Sequence, residues 1–165
     1  LARWFAPEAD HYVSGGLGLM EAFGGKAFEA GTAYASAGYE GVCFWLPPGV
    51  EADEQELNQA IEKLVPSTRK DEVLAVFEAM DQSHPHEECW YLPLIGVDPA
   101  YQGNGLGSVL MKHVLNIIDQ KGLPAYLESS NPQNISLYER HGFEVIDRIQ
   151  IASSPTVHPM LRPAR

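Results

Sequence analysis

WYLPLIGVDPAYQGNGLGSVLMKHVLNIID, residues Trp90 to Asp119, decides the fold. Its first eight residues, Trp90 to Val97, are apolar without helical spacing and rich in aromatic and branched side chains, the pattern of a largely buried strand. Asp98-Pro99 closes that strand, because proline lacks a donor and restricts the residue before it. Beyond the turn, Leu106, Val109, Leu110, His113, Val114, Ile117 and Ile118 recur at three- and four-residue steps, which predicts one apolar stripe on a helix starting near Gly105. The unit is strand, glycine-bearing turn, helix.

Such a turn suits an anion. Glycines at 103, 105 and 107 let backbone N–H groups approach a ligand, and the unpaired donors of a first helical turn carry partial positive charge. A pyrophosphate is the expected occupant. A lysine-bearing P-loop is excluded, since no Gly-Lys-Ser/Thr follows the glycines. A dinucleotide fingerprint is the rival: strand and helix are in place, and Glu128 stands about where a ribose-binding acid belongs. It ranks second, because its third glycine falls where this chain has Ser108, and Asp98-Pro99-Ala100-Tyr101 separates strand from glycines.

The remaining pattern is Gln-x-x-Gly-x-Gly, met as Gln102-Gly103-Asn104-Gly105-Leu106-Gly107. With Val97-Asp98-Pro99 upstream and Asn134-Ile135-Ser136-Leu137-Tyr138-Glu139-Arg140-His141-Gly142-Phe143 downstream, it resembles the GNAT superfamily of acetyl-coenzyme A-dependent N-acetyltransferases. Residues 90–165 are also similar to the C-terminal half of the puromycin N-acetyltransferase type, through Pro124–Ser130 and Tyr138–Phe143.

Composition agrees with a folded enzyme. The 165 residues are the size of one domain, 45% hydrophobic and 20% charged, so one core is expected without staples. The net charge of −11 argues against nucleic acid as a partner and for cationic ones, an amine substrate among them. Cys43 and Cys89 lack metal or redox spacing and read as free thiols in a reducing compartment. No run reaches membrane-span length and no signal-peptide pattern is visible, so no membrane partner and a cytoplasmic location are expected.

In chain order, residues 1–31 are helix-prone but interrupted by Gly15, Gly16, Gly18, Gly24 and Gly25, so a loose helix or loop is expected. Residues 32–36 and 39–46 predict a hairpin with Gly38 taking positive φ. Asp53 and Glu56 predict a capping box on a helix burying Leu57, Ile61 and Leu64. A second helix, roughly 69–82, is expected to bury Val73, Leu74, Val76, Phe77 and Met80. His84-Pro85-His86-Glu87-Glu88-Cys89 matches no zinc pattern and reads as a polar loop. Strands follow over 125–128, 143–151 and 157–161, with a short helix over 133–141 closed by Gly142.

The order implies a mixed α/β or α+β sheet. The resemblance implies a GNAT-like acyl-CoA N-acyltransferase fold, whose first strand and helix find no counterpart in this sequence. It implies a single N-acetyltransferase domain over residues 1–165, with 1–88 on the substrate side and 89–165 binding acetyl-CoA.

The resemblance further implies that acetyl-CoA, as co-substrate and without a metal, lies in a V where strands 91–97 and 125–128 part. Ile95 and Val97 would pair with pantetheine, and the Val97 amide would donate to the thioester oxygen. Gln102, Gly103, Asn104, Gly105, Leu106, Gly107 and Ser108 would hold the pyrophosphate. Asn134 would bond the pantetheine arm, Tyr138 would protonate the departing sulfur, and Arg140 would approach the adenosine phosphates. A core tyrosine and a solvated arginine are the plainer alternatives for the last two. Glu128 is expected to attract the ammonium or take its proton, with capping of the next turn as its alternative and His86, Glu87 and Glu88 as further base candidates.

The expected activity is acetyl transfer to a primary amine, that of a small molecule, by a monomer or homodimer. An NAD(P)-binding oxidoreductase and a non-catalytic CoA-binding sensor are the alternatives.

Overall fold

The computed structural model describes residues 1–165. The chain opens with a one-turn helix α1 (Ala2–Phe5), a long helix α2 (Ala9–Gly24) and a short helix α3 (Lys26–Glu29). Strands β1 (Ala33–Ala35) and β2 (Gly41–Leu46) form a hairpin, followed by helices α4 (Glu54–Leu64) and α5 (Lys70–Ser83). The decisive stretch then gives β3 (Trp90–Val97), a 3₁₀ turn (Pro99–Tyr101) and α6 (Leu106–Lys121). Strand β4 (Ala125–Ser129), helix α7 (Pro132–Arg140) and strands β5 (Glu144–Val145) and β6 (His158–Arg162) complete the chain.

The six strands lie in the order β1-β2-β3-β4-β6-β5, and only the β3–β4 pair is parallel. Helices cover both faces. On one, Leu110, Met111, Val114 and Ile118 of α6 and Tyr138 of α7 pack against Trp45, Trp90, Leu92 and Leu127 of the sheet. On the other, Leu19 of α2, Ile61 and Leu64 of α4 and Val73 of α5 gather around Phe5.

Several local expectations change. Of the loose helix or loop expected for the glycine-rich segment, the helix forms, and it runs as the continuous α2, for which close packing accounts. A Cβ on Gly15 would stand 2.8 Å from Leu64 Cδ1, and one on Gly24 would stand 2.9 Å from Leu94 Cδ1. Two absent side chains let this helix lie against α4 and the sheet, which offsets their weak helix propensity. In the hairpin the positive φ belongs to Tyr39, at 61°, rather than to Gly38. The Glu40 carboxylate folds back there, accepting from Ser36 Oγ at 2.5 Å and the Gly38 N–H at 3.2 Å.

Asp53 caps α4 by accepting from the Glu56 N–H at 2.9 Å. The reciprocal half of the box is replaced, because the Asp53 N–H donates to the Ala22 carbonyl at 3.2 Å. Leu74 is 44% exposed, on the outer side of α5.

The expected strand over 143–151 is broken. Ile146 N–H donates to the Pro159 carbonyl at 2.9 Å, and Pro159 has no N–H to return the bond. Pairing resumes only at an isolated Ile149–Val157 bridge, after an extra residue on the outer strand.

Candidate active site

β3 and β4 pair at Trp90 with Ala125 and at Tyr91 with Tyr126, and no further. The cause is local to β3. Phe44 faces Leu94 but Leu46 faces Tyr91, so β3 carries one extra residue in the span that holds Pro93, which has no donor for either neighbour. Past this bulge β3 stays with β2 through Val97, whereas β4 stays with β6 through Ser129. The strands therefore splay.

The ladder's alternation fixes what faces the gap. Asp98 N–H donates to the Glu40 carbonyl at 2.7 Å, so on this antiparallel pair the groups of Gly96 and Leu94 also turn toward β2. Ile95 and Val97 turn the other way, toward the opening. Gly41, opposite Val97, confirms the parity, since its carbonyl accepts from Ser36 N–H on the β1 side at 2.8 Å.

The glycine turn follows directly. Gln102 Nε2 donates to the Val97 carbonyl at 3.0 Å, tying the turn to the end of β3, and Asp98 Oδ1 accepts from Ala100 N–H at 2.8 Å. Gly103 and Gly105 have φ of 78° and 81°, and a Cβ on either would meet nothing within 4 Å. Asn104 Nδ2 donates back to the Tyr101 carbonyl at 3.3 Å. No side chain caps α6, whose N-cap is Gly105, so the amides of Leu106, Gly107 and Ser108 are left for an anion. This cradle fits a diphosphate.

Asn131 caps α7 by accepting from Gln133 N–H at 3.1 Å. The same helix carries Asn134 and Tyr138 one turn apart. Tyr138 is 5% exposed and its ring packs on Phe143 at 6.3 Å, so it belongs to the core as well as to the motif. Burial raises its phenol above the usual range, with Asn134 opposing. Arg140 is exposed and donates to Ser136 Oγ at 3.4 Å.

Sequence reasoning missed a buried polar chain behind the turn. Ser108 Oγ lies 2.8 Å from His141 Nε2, the His141 carbonyl accepts from Arg162 Nε at 2.9 Å, and Arg162 forks onto Asp119 at 2.7 and 2.8 Å. Burial, then Lys112, Arg140 and Arg162, lower the His141 pKa and favour the neutral ring. No pattern links these four positions, although a buried arginine in a final strand demands a carboxylate partner.

On the opposite face of β4 from Leu127 stands Glu128. Tyr91 Oη donates to its Oε2 at 2.6 Å. Burial pushes the Glu128 carboxyl up to about 7, with the Tyr91 and Tyr126 hydroxyls opposing. Tyr126 is fully buried, and its hydroxyl has no hydrogen-bond partner of ordinary geometry. His84 stacks edge-on against both tyrosines, at 5.3 and 4.6 Å.

Tyr91, His84 and Glu128 close the inner end of a cavity of about 660 Å³, walled by α5, the 47–54 loop and the 84–89 loop. His86, Glu87 and Glu88 line its rim and are exposed. Cys89, in the wall, is a buried free thiol pushed up to about 11, first by burial and then by Glu87 and Glu128. No His, Cys, Asp and Glu grouping able to hold a metal ion occurs, and no helix is long and apolar enough to cross a membrane.

Comparison with known proteins agrees with this geometry. The sequence profile of the acetyltransferase (GNAT) family matches residues 38–143. An uncharacterized N-acetyltransferase of Schizosaccharomyces pombe is 46% identical over 57 residues, 34% of this chain and 23% of that protein. A mycothiol acetyltransferase of Streptosporangium roseum is 41% identical over 66 residues, 38% of this chain and 20% of the relative. The chain thus spans about a quarter or less of those curated relatives. Among solved structures, a protein of Corynebacterium glutamicum described as histone acetyltransferase HPA2 and related acetyltransferase superposes with a TM-score of 0.64. It is 19% identical, and the match covers 98% of this chain and 81% of that one, a likeness of fold.

Proposed function

The chain belongs to the GNAT acetyltransferase family, and from that premise we propose that it moves an acetyl group from acetyl-coenzyme A directly to a primary amine. One observation supports this proposal: the main chain of Ile95 and Val97 turns away from β2, and the uncapped first turn of α6 lies beside it, a Cβ on Gly107 standing 3.9 Å from Val97 Cγ2. When bound, acetyl-CoA supplies an acetyl thioester.

The chain's own groups divide the remaining work. The α6 amides and the turn from Gln102 to Ser108 hold the diphosphate, with Arg140 near enough in sequence to serve the adenosine end. Asn134, Ile95 and Val97 align the pantetheine arm, and the Val97 N–H polarises the thioester carbonyl. Glu128 accepts the proton lost by the attacking amine as the C–N bond forms. Tyr138 donates a proton to sulfur as the C–S bond breaks. The two titrating groups suit these roles, because burial leaves Glu128 titrating at about 7 while keeping Tyr138 protonated. His86, Glu87 and Glu88 are less suited as bases, being exposed at the rim.

A single domain with residues 1–88 facing the acceptor and 89–165 facing the coenzyme matches this division. The acceptor is taken as a small molecule's amine on the strength of the cavity, and the likeness to the puromycin type adds nothing to that choice.

Thermal unfolding with acetyl-CoA, CoA, NAD and NADP tests the proposal. Stabilisation by the first two alone, with release of free thiol on adding an amine panel, is the expected result. Stabilisation by NAD or NADP instead would favour an oxidoreductase, and binding without thiol release would favour a sensor.

A further inference from the structure

The cavity beside Glu128 has an unbalanced charge. It is lined by 23 residues, which include seven of the chain's 22 acidic side chains and none of its eleven lysines and arginines. Six of the acids, Glu51, Glu54, Glu78, Asp81, Glu87 and Glu88, stand exposed around the rim, and Glu128 lies half-buried at the inner end. The chain's ion pairs join Lys26 to Glu29, Lys70 to Glu62 and Arg162 to Asp119, so none of the seven has a cationic partner within the protein.

Rim carboxylates alone would be an ordinary solvated surface. The inner end is different. There Glu128, half-buried, lines the cavity together with Tyr91 and His84. Glu128 itself accepts from the Tyr91 hydroxyl and pairs with no cation. A half-buried carboxylate without a cationic partner at the bottom of an acid-rimmed cavity calls for a donor-rich cation, because burying an unpaired charge is costly. One ammonium at that end is the reacting amine. The rim then offers sites for more.

We propose that the acceptor is a small aliphatic di- or polyamine, which presents one amine to Glu128 while its further ammonium groups lie among the rim carboxylates. This rests on the acetyltransferase reading above and narrows it. The aromatic and aliphatic part of the wall, Phe23, Leu57, Phe77 and Met80, supplies apolar surface for a methylene chain between the charges. The enclosing loops and α5 leave room of small-molecule size, which favours a free amine over a polypeptide.

The test compares acceptors that differ in charge: pentylamine and cadaverine, which share a five-carbon chain, and the longer triamine spermidine, with a lysine-rich peptide as a further arm. With acetyl-CoA saturating, kcat/KM for cadaverine and spermidine should exceed that for pentylamine by about tenfold or more at low salt, and the gap should narrow as salt is raised. Spermidine alone should also raise the melting temperature, a readout independent of turnover. The double variant Glu78→Gln/Asp81→Asn should shrink both the cadaverine-to-pentylamine ratio and the spermidine shift. Equal kcat/KM for mono- and diamine, a salt-independent ratio, or transfer to the peptide alone overturns the proposal. So does the absence of transfer to any di- or polyamine by protein that acetyl-CoA stabilises. Failure of acetyl-CoA to stabilise the protein would instead remove the acetyltransferase reading itself.

Discussion

Tyr91 and Glu128 meet at 2.6 Å across the point where β3 and β4 separate, although 37 positions divide them in the chain. Tyr91 belongs to the last pair the two strands make, and Glu128 lies two residues beyond its partner Tyr126. The carboxylate is thereby fixed at the mouth of the gap. Tyr138 approaches from the other layer, among the side chains of α6 and α7. Glu128 and Tyr138 thus lie on opposite faces of the sheet.

If Glu128 takes the proton, kcat/KM should rise with pH through a limb near 7, where its carboxyl ionises. Glu128→Gln should lower kcat/KM by about 100-fold or more and abolish that limb. The same shift has a stability consequence. The folded carboxyl titrates at about 7 against an ordinary 4.5, so its contribution is fully present below 4.5 and is lost as pH rises through 7. Glu128→Gln should therefore melt higher than the parent above pH 7, by up to roughly 3 kcal/mol, with the advantage vanishing below pH 4.5. Melting curves across that range check the sign.

Tyr91→Phe separates the two partners. The hydroxyl holds the Glu128 pKa down against burial, so its removal should move the limb to higher pH without abolishing it. An unmoved limb in the pH profile would detach Tyr91 from the titrating group.

Tyr138→Phe keeps the ring against Phe143 and removes only the proton donor. Turnover in a single-turnover experiment should fall by about 10- to 100-fold, with acetyl-CoA affinity unchanged. An undiminished rate would leave Tyr138 as a core tyrosine. Because burial raises its pKa, no alkaline limb from this group should appear below its ordinary value of 10.

Asp119→Asn tests the polar chain behind the phosphate turn. Arg162 is 2% exposed, and without the carboxylate its guanidinium stays buried and uncompensated, at a cost of about 3 kcal/mol. Arg162 foremost holds the Asp119 carboxyl below its ordinary 3.8, so the parent's advantage is present above that value and is lost as pH falls through the depressed one. Urea unfolding at pH 7 and at pH 3 measures both. Since Arg162 also grips His141, which reaches Ser108, a weaker acetyl-CoA affinity should accompany the lost stability.

The stretch from β3 through α6 was legible because local signals and fold agree there. β3 runs from Trp90 to Val97 as its apolar run predicts, and α6 starts after Gly105 and ends before Gly122, whose φ is 63°. The rest was not, because its decisive facts are tertiary. Gly15 and Gly24 look like helix breakers until Leu64 and Leu94 are seen against them. The broken strand after Val145 depends on a proline thirteen residues past Ile146, in another strand. Glu128 could be named from the motif's neighbourhood, but its tyrosine partner and the acid-rimmed cavity exist only once β3 and β4 are in register.

Gly105→Ala probes the anion cradle most directly. A Cβ there meets no protein atom within 4 Å, so the substitution costs only the left-handed backbone, about 1–2 kcal/mol. The new methyl group projects into space that the protein leaves open at the N-terminus of α6. If the amides of that turn hold the diphosphate, acetyl-CoA affinity should fall by more than about tenfold while the protein remains folded, since the methyl blocks close approach of backbone to ligand. Calorimetric titration of acetyl-CoA into the folded variant measures this. An affinity equal to the parent's would place the diphosphate elsewhere, and the roles proposed for Ile95 and Val97 would lose their anchor, because they require this turn to hold the far end of the same molecule.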